Sequence, residues 1–255
     1  MTLLCPVRDC HLPLTREPGR LICPKGHSFD RAKSGYFNLL QPQERRSKLP
    51  GDTARAVAAR RRLHDRGVTA PLLQSLLEFA QPEGNVLDVG CGEGFYLASF
   101  PQIHGYGVDI STPAIEAAAR RHPDCEWIVA NADRFIPYAD QSFDTLLSIT
   151  ARMNPPEFRR VLKPHGNLLI AIPAPEDLIE LRGRGKDRAA RTAAEFAPYF
   201  GEPTYHRATT TADLDSEAIG DVLHSIYRPL RSGPPRAMSL TFSLDFLLFR
   251  KIHMP

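Results

Sequence analysis

The sequence has no run of the eighteen or so apolar residues that a membrane span needs. Its first residues show neither the basic stretch nor the apolar core of a secretory leader, so a cytoplasmic location is expected. Cysteine is scarce: five among 255 residues, an odd number. Three of them fall within the first 23 positions, and Cys91 and Cys125 stand apart. That usage excludes a disulfide scaffold, and a cysteine cluster in a cytosolic chain favours a metal. No internal repeat is present. The length suits one large domain and a small accessory one.

Charge is almost balanced at +3, but it is unevenly spread. Residues 1–66 hold fourteen Lys and Arg against six Asp and Glu, a local excess of +8, which leaves −5 for the rest. A basic head on an acidic body suits contact with a polyanion, or else an ordinary solvated basic face.

Short β-like pieces surround the Cys/His cluster of residues 1–30, and 31–51 reads as an extended connector. A helix is predicted over 52–66, capped by Asp52 or Thr53 and ended by Gly67, with a second over 70–80 opened by Pro71. From residue 85 apolar runs alternate with helical stretches. The runs are 86–88, 106–108, 127–129, 145–149 and 168–172, and the helices include 112–121 and 155–162. This alternation predicts a doubly wound parallel sheet with helices on both faces. Residues 183–193 read as a mobile loop, and 239–249 as a closing strand.

Residues 86–94 read Val-Leu-Asp-Val-Gly-Cys-Gly-Glu-Gly, a strand that ends in a glycine turn with a helix expected beyond it. Glycines let the backbone turn sharply and approach a ligand closely. A glycine turn alone would also suit a dinucleotide binder. Three acids narrow the choice. Asp88 lies inside the strand. Asp109 closes the next one, nineteen residues after Gly90, where a carboxylate can accept ribose hydroxyls. Asp133 follows the third strand, where an adenine amino group would be read. Over residues 84–172 this series resembles the class I methyltransferases. The resemblance implies a Rossmann-like, mostly parallel seven-stranded sheet that binds S-adenosylmethionine. It places the methionine part over Gly90, Cys91, Gly92, Glu93 and Gly94, the ribose on Asp109, and the adenine near Ile110 and Asp133. Thr150 would border the reacting methyl. Cys91 reads as packing, not as a nucleophile, and Cys125 as apolar filling.

Cys5-x4-Cys10 and Cys23-x3-His27 supply four soft or borderline ligands, the set that tetrahedral zinc takes in a closed structural site. Pro6, Pro24 and Gly26 supply the turn chemistry. So small a module would draw its folding energy from the metal. His11 is a competing ligand.

The stretch from Cys23 through Ser34-Gly-Tyr-Phe-Asn38 to Leu49-Pro50-Gly51-Asp52 is similar to the large-subunit rRNA guanine-N1 methyltransferase family. Ala59-Arg60-Arg61, Glu157-Phe-Arg-Arg-Val-Leu-Lys-Pro164 and Pro173-Ala174-Pro175 extend the match over most of residues 5–181. The resemblance implies zinc on Cys5, Cys10, Cys23 and His27 and cofactor contacts at Gly92 and Glu93. It also implies a homodimer with a cleft for a 23S rRNA hairpin. Residues 1–36 then form the zinc module, 37–83 the connector and helices, and 84–255 the methyltransferase domain.

The chain departs from the family where cofactor and base should meet. The first cysteine pair is two residues wider than usual. A family aromatic that helps hold the cofactor corresponds to Thr69, a family histidine to Asp177, and a Phe-Ala-Pro-like segment to Thr150-Ala151-Arg152. Asp177 is the candidate acceptor of the guanine N1 proton. Arg45, Arg46, Lys48, Arg60, Arg61 and Arg62 are the candidate phosphate contacts. Tyr36, Phe37, Phe95 and Tyr96 suit either base stacking or core packing. Two other functions fit the same residues: a small-molecule methyltransferase, and an RNA-binding assembly factor that has kept the fold without the chemistry.

Overall fold

A computed structural model describes residues 1–44, 50–226 and 234–251. Three short strands, β1 (Thr15–Glu17), β2 (Arg20–Ile22) and β3 (Ser28–Asp30), form an antiparallel ribbon around the cysteine cluster. There follow β4 (Phe37–Asn38), α1 (Ala54–Asp65), α2 (Ala70–Ala80), β5 (Asn85–Val89), β6 (His104–Asp109), α3 (Thr112–Arg121), β7 (Glu126–Val129) and β8 (Phe143–Ile149). The chain continues through α4 (Pro155–Val161), β9 (Leu162–Pro173), α5 (Ile179–Arg182), α6 (Ala189–Phe200), β10 (Thr204–Leu214), α7 (Ser216–Ser225) and β11 (Met238–Arg250).

The large sheet has eight strands in the order β10-β11-β9-β8-β5-β6-β7-β4. Seven of them make the expected mostly parallel sheet, in which β11 pairs antiparallel with both β9 and β10. The eighth, β4, is two residues long and lies parallel to β7, with Phe37 opposite Ile128. The stretch expected to be a plain connector therefore adds to the sheet edge, and it buries Tyr36, Phe37, Leu39 and Leu40.

Local chemistry sets the helix starts. Thr53 Oγ1 accepts the Ala56 N–H at 3.2 Å, Ser111 Oγ that of Ala114 at 3.2 Å, and Asp215 Oδ1 that of Ala218 at 2.7 Å. Each satisfies a donor that the first turn leaves open, an effect of about 1 kcal/mol. The expected loop over 183–193 ends early, because α6 begins at Ala189. Its buried stripe of Thr192, Phe196 and Phe200 packs at helical spacing with Phe158 and Phe249.

One face of the sheet is covered by α1, α2, α3 and α7, which share an apolar cluster that includes Leu63, Leu72, Ile115 and Ile219. On the other face α4 and α6 share a cluster with Leu3, Cys5, Leu14, Leu21 and Cys23 of the ribbon. The N-terminal module thus does the covering work of a helix. Leu3 bridges to Tyr138, Leu4 N–H donates to the Pro137 carbonyl at 3.0 Å, and Ala139 N–H to the Thr2 carbonyl at 3.1 Å. Among the described residues, no helix is long and apolar enough to cross a membrane.

Candidate functional site

The site begins where β5 stops. Val86, Leu87 and Val89 are buried, and Asp88 is carried into the interior with them, 2% exposed. Gly90, Gly92 and Gly94 all take positive φ, so the chain folds back on itself in five residues. Gly90 has a second requirement: a Cβ there would stand 2.4 Å from the Ala151 Cβ, since the loop after β8 closes over the turn. The helix expected beyond the turn is reduced to a single 3-10 turn at Leu97–Ser99. Pro101 explains this, because the residue before a proline is pushed out of the helical region and Phe100 is extended.

Asp109 ends β6 beside the turn. Its Oδ2 accepts the Gly92 N–H at 2.9 Å and its Oδ1 the Ser111 N–H at 2.7 Å. Burial raises its pKa. Burial, with Asp109 close by, pushes Asp88 up to about 8. Burial also raises Glu93. Asp88 Oδ1 and Glu93 Oε2 are buried without a hydrogen-bond partner. Orphaned carboxylate oxygens cost free energy unless something polar arrives, so the turn fits a ligand that brings an ammonium group and N–H or O–H donors. S-adenosylmethionine carries such groups on its amino acid and ribose. Cys91 is buried and lies against Gly107, which agrees with a packing role.

The rim is made by α1 and the loops after β7 and β8. His64 stacks on Phe95 with centroids 3.7 Å apart and meets Tyr96 edge-on at 5.9 Å. Its Nδ1 lies 3.1 Å from the hydroxyl of Thr69, the position of the missing aromatic. Burial, then the nearby Arg60 guanidinium, lowers His64 to about 4. Burial drives the Tyr96 phenol up to about 12, with Asp88 and Asp177 adding to the rise against Arg60. Asp133 is exposed and pairs with Arg152 at 3.2 Å. Thr150 is exposed at φ 53°. Ile110 sits half-buried under Gly51.

Asp177 follows β9. Its Oδ1 accepts the Ser243 N–H at 3.0 Å, and its other oxygen is held by Arg182. Burial raises its pKa. The phosphate candidates divide. Arg45, Arg46 and Lys48 lie outside the described residues. Arg62 makes two hydrogen bonds to the buried Asp221 on α7, at 2.8 and 2.5 Å. Arg61 is near Asp65 at 3.6 Å and is half-exposed. Arg60 turns inward, to Asp52 at 2.7 Å and to the Ser225 carbonyl at 3.1 Å. Tyr36 and Phe37 are core residues. Sequence reasoning missed Asp52 and His64 at this rim. The spacing of 60 and 64, one turn apart on one helix face, is the signal that would have found His64, whereas Asp52 reads in sequence only as a helix cap.

The second centre is the cysteine cluster. The ligand atoms of Cys5, Cys10, Cys23 and His27 lie within 4.8 Å of one another. Cys10 Sγ is 3.9 Å from Cys23 Sγ, and His27 Nδ1 is 3.4 Å from Cys5 Sγ and 3.3 Å from Cys23 Sγ. Ligands at zinc–sulfur distance around a tetrahedral ion stand about 3.8 Å apart, so the donor set fits zinc. The wide first knuckle closes with Asp9 and His11 at positive φ. His11 is no competitor for the metal, because its ring stacks on Phe135 at 4.2 Å. A separate cleft of about 650 Å³ involves Asp187, Glu202, Tyr205 and Arg207, and none of the glycine-turn residues lines it.

Comparison with known proteins adds to this geometry. Residues 3–48 match the zinc-ribbon family described as RlmA, N-terminal, and residues 86–166 match a methyltransferase-domain family. A 23S rRNA (guanine(748)-N(1))-methyltransferase from Streptomyces fradiae is 38% identical over 237 residues, covering 87% of this chain and 83% of the relative. A Micromonospora griseorubida relative, provisionally assigned as a 23S rRNA (guanine-N(1)-)-methyltransferase, is 37% identical over 71% of this chain and 69% of its own length. Among solved structures, a SAM-dependent methyltransferase from Thermotoga maritima matches with TM-score 0.51 and 16% identity, covering 78% of this chain and 97% of the other. A methyltransferase candidate from Bacillus halodurans matches with TM-score 0.51 and 20% identity, covering 71% and 99%. These structural likenesses speak to the fold alone.

Proposed function

This chain belongs to the 23S rRNA guanine-N1 methyltransferase family, and from that premise we infer that it moves a methyl group from S-adenosylmethionine to N1 of a guanine in large-subunit ribosomal RNA. The observation that carries the reading is a conjunction in one chain. A zinc-type Cys/His cluster is docked on a sheet whose glycine turn holds two orphaned carboxylate oxygens. Residues 1–36 act as the zinc module, 37–83 as connector and helices, and 84–255 as the methyltransferase domain.

When bound, the cofactor supplies an electrophilic methyl group on a sulfonium. The chain has to align the acceptor with it, exclude water and take up a proton. In this reading Asp88, Gly90, Cys91, Gly92, Glu93 and Gly94 hold the amino-acid part. Asp109 receives the ribose while keeping the turn in shape. Ile110 and Asp133 border the adenine, and Thr150 and Thr69 border the reacting end. Guanine N1 must lose its proton before or during attack, and in this reading Asp177 accepts it. Each of its oxygens keeps a second lone pair and burial raises its proton affinity, while Arg182, which works against that rise, fixes the orientation of the carboxylate. Cys5, Cys10, Cys23 and His27 hold zinc in a structural role. Arg45, Arg46, Lys48 and Arg61 contact phosphates, and the enzyme works in the cytoplasm as a homodimer that clasps an RNA hairpin.

The deciding experiment incubates the zinc-loaded protein with labelled S-adenosylmethionine and unmodified 23S rRNA. Label is expected in RNA, with a primer-extension stop at one guanine, because N1 methylation blocks base pairing. Label that enters neither the RNA nor any stop site would overturn the reading. Sedimentation at several concentrations tests the dimer.

A further inference from the structure

We propose that Arg60 anchors the carboxylate of the amino-acid end of the cofactor, and that Asp52 and the Ser225 carbonyl hold its guanidinium ready for that contact. The proposal rests on the reading of the glycine turn as the S-adenosylmethionine site.

Asp88, Glu93 and Asp109 surround the turn, and two of their buried oxygens lack partners. They suit the ammonium and the hydroxyls of the ligand. The same ligand also carries an α-carboxylate, which these acids would repel, so a cation has to stand beside them. Arg60 Nη1 is the atom that a Cβ on Gly92 would meet, at 3.7 Å. Arg61 and Arg121, the other two arginines close enough to affect Glu93, are both drawn to Asp65, at 3.6 and 2.6 Å.

The placement of Arg60 is a property of α1. Arg60 and His64 lie one turn apart on the face that packs over Gly92 and Phe95. Arg55, Arg62 and Arg66 occupy the other face and reach His224, Asp221 and Glu217 of α7 and its N-cap Asp215, whereas Arg60 meets α7 at its last carbonyl, that of Ser225. Two contacts fix Arg60 without using up its five N–H donors, so the fork keeps donors for a carboxylate. Asp52 links this end of the site to the other. Its carbonyl accepts the Ser111 hydroxyl at 2.7 Å, beside Asp109, while Gly51 packs so tightly that a Cβ would lie 2.8 Å from that of Ser111. Arg60, predicted from sequence to touch RNA phosphate, thus faces the cofactor turn instead.

The test uses titration calorimetry on the full zinc-loaded chain with three probes: S-adenosylmethionine, its decarboxylated analogue and 5′-methylthioadenosine. Wild type should prefer the carboxylate-bearing probe. Arg60→Met should weaken S-adenosylmethionine by about tenfold to a hundredfold, the span of a charged hydrogen bond, while leaving the other two within about threefold. Arg60→Lys, which keeps the charge and loses the fork, should fall between and guards against a variant that fails to fold. Equal weakening of all three probes would assign Arg60 a purely structural role, and unchanged binding of S-adenosylmethionine would remove it from the site. If wild type binds none of the probes, the cofactor reading itself falls, an outcome distinct from loss of selectivity in the variants.

Discussion

Asp109 and Gly92 are joined by a hydrogen bond of 2.9 Å from the glycine N–H to Oδ2, so the acid that ends one strand holds the turn that ends its neighbour. The other oxygen accepts the Ser111 N–H, at the start of α3. Three pieces of backbone therefore take their shape from one half-buried carboxylate. Asp109→Asn turns one acceptor into a donor that faces an N–H. It is expected to destabilise the fold by about 1–3 kcal/mol. It should also weaken S-adenosylmethionine at least about tenfold, since each 1.4 kcal/mol is a factor of ten. Thermal unfolding and calorimetry read the two effects, and unchanged cofactor affinity would show that the turn keeps its shape unaided.

Asp88 should make the cofactor-free protein less stable as pH rises. Its carboxyl is pushed up to about 8 by burial and by Asp109, against an ordinary value of 3.8. The folded state therefore holds a proton that the unfolded chain gives up. The associated stability is complete below pH 3.8 and is lost as pH rises through about 8, at about 1.4 kcal/mol per pH unit. Asp88→Asn should abolish this slope, raise the unfolding temperature of the free protein at pH 8, and weaken cofactor binding. The measurement is unfolding temperature against pH for both proteins. Parallel curves would show that Asp88 is charged in the free enzyme.

His64 should act in the opposite direction. Burial, with Arg60 next in effect, lowers it to about 4 from 6.5. The neutral ring is stacked on Phe95, and its stabilising contribution is present above pH 6.5 and lost as pH falls towards 4. Over that window the Asp88 and His64 slopes oppose each other, so each emerges only as the difference between wild type and variant. His64→Gln is expected to remove an acid-side loss of about 3 kcal/mol, the equivalent of the full shift. A wild-type minus variant difference that stays flat from pH 6.5 to 4 would place the imidazole in water.

The strand ends were legible because β5, β6 and β7 are apolar runs closed by a glycine turn, by Asp109 and by the segment that leads to Asp133. Their periodicity is local, and the acids mark where each strand stops. β10 was not legible, because Thr204–Leu214 carries little apolar alternation and owes its place to eleven residues of pairing with β11. The missing helix after Gly94 was legible in principle from Pro101. The role of Arg60 was hidden by composition. A basic run shows that charges are present, whereas the direction each one points depends on α7, whose Asp221 and Asp215 lie some 150 residues further on.

Metal removal should unsettle more than the ribbon. Cys5 and Cys23 are buried in the same apolar cluster as Leu3, Tyr138 and Phe143. Burial pushes the Cys5 thiol up to about 12 in the metal-free protein, whereas a bound cation would hold it as a thiolate. Strong chelation, or Cys10→Ser, is therefore expected to lower the unfolding temperature of the whole chain, because the ribbon covers one face of the sheet through Leu3, Leu14 and Leu21. The glycine turn packs against α1, not against the ribbon, so cofactor affinity at low temperature should stay within about threefold of wild type, as expected of independent sites. Plasma emission analysis should find one zinc per chain. If it found none in active protein, or if the chelated chain unfolded at the same temperature as the untreated one, the ribbon would be held by its apolar contacts alone and the four ligands would have no metal to explain.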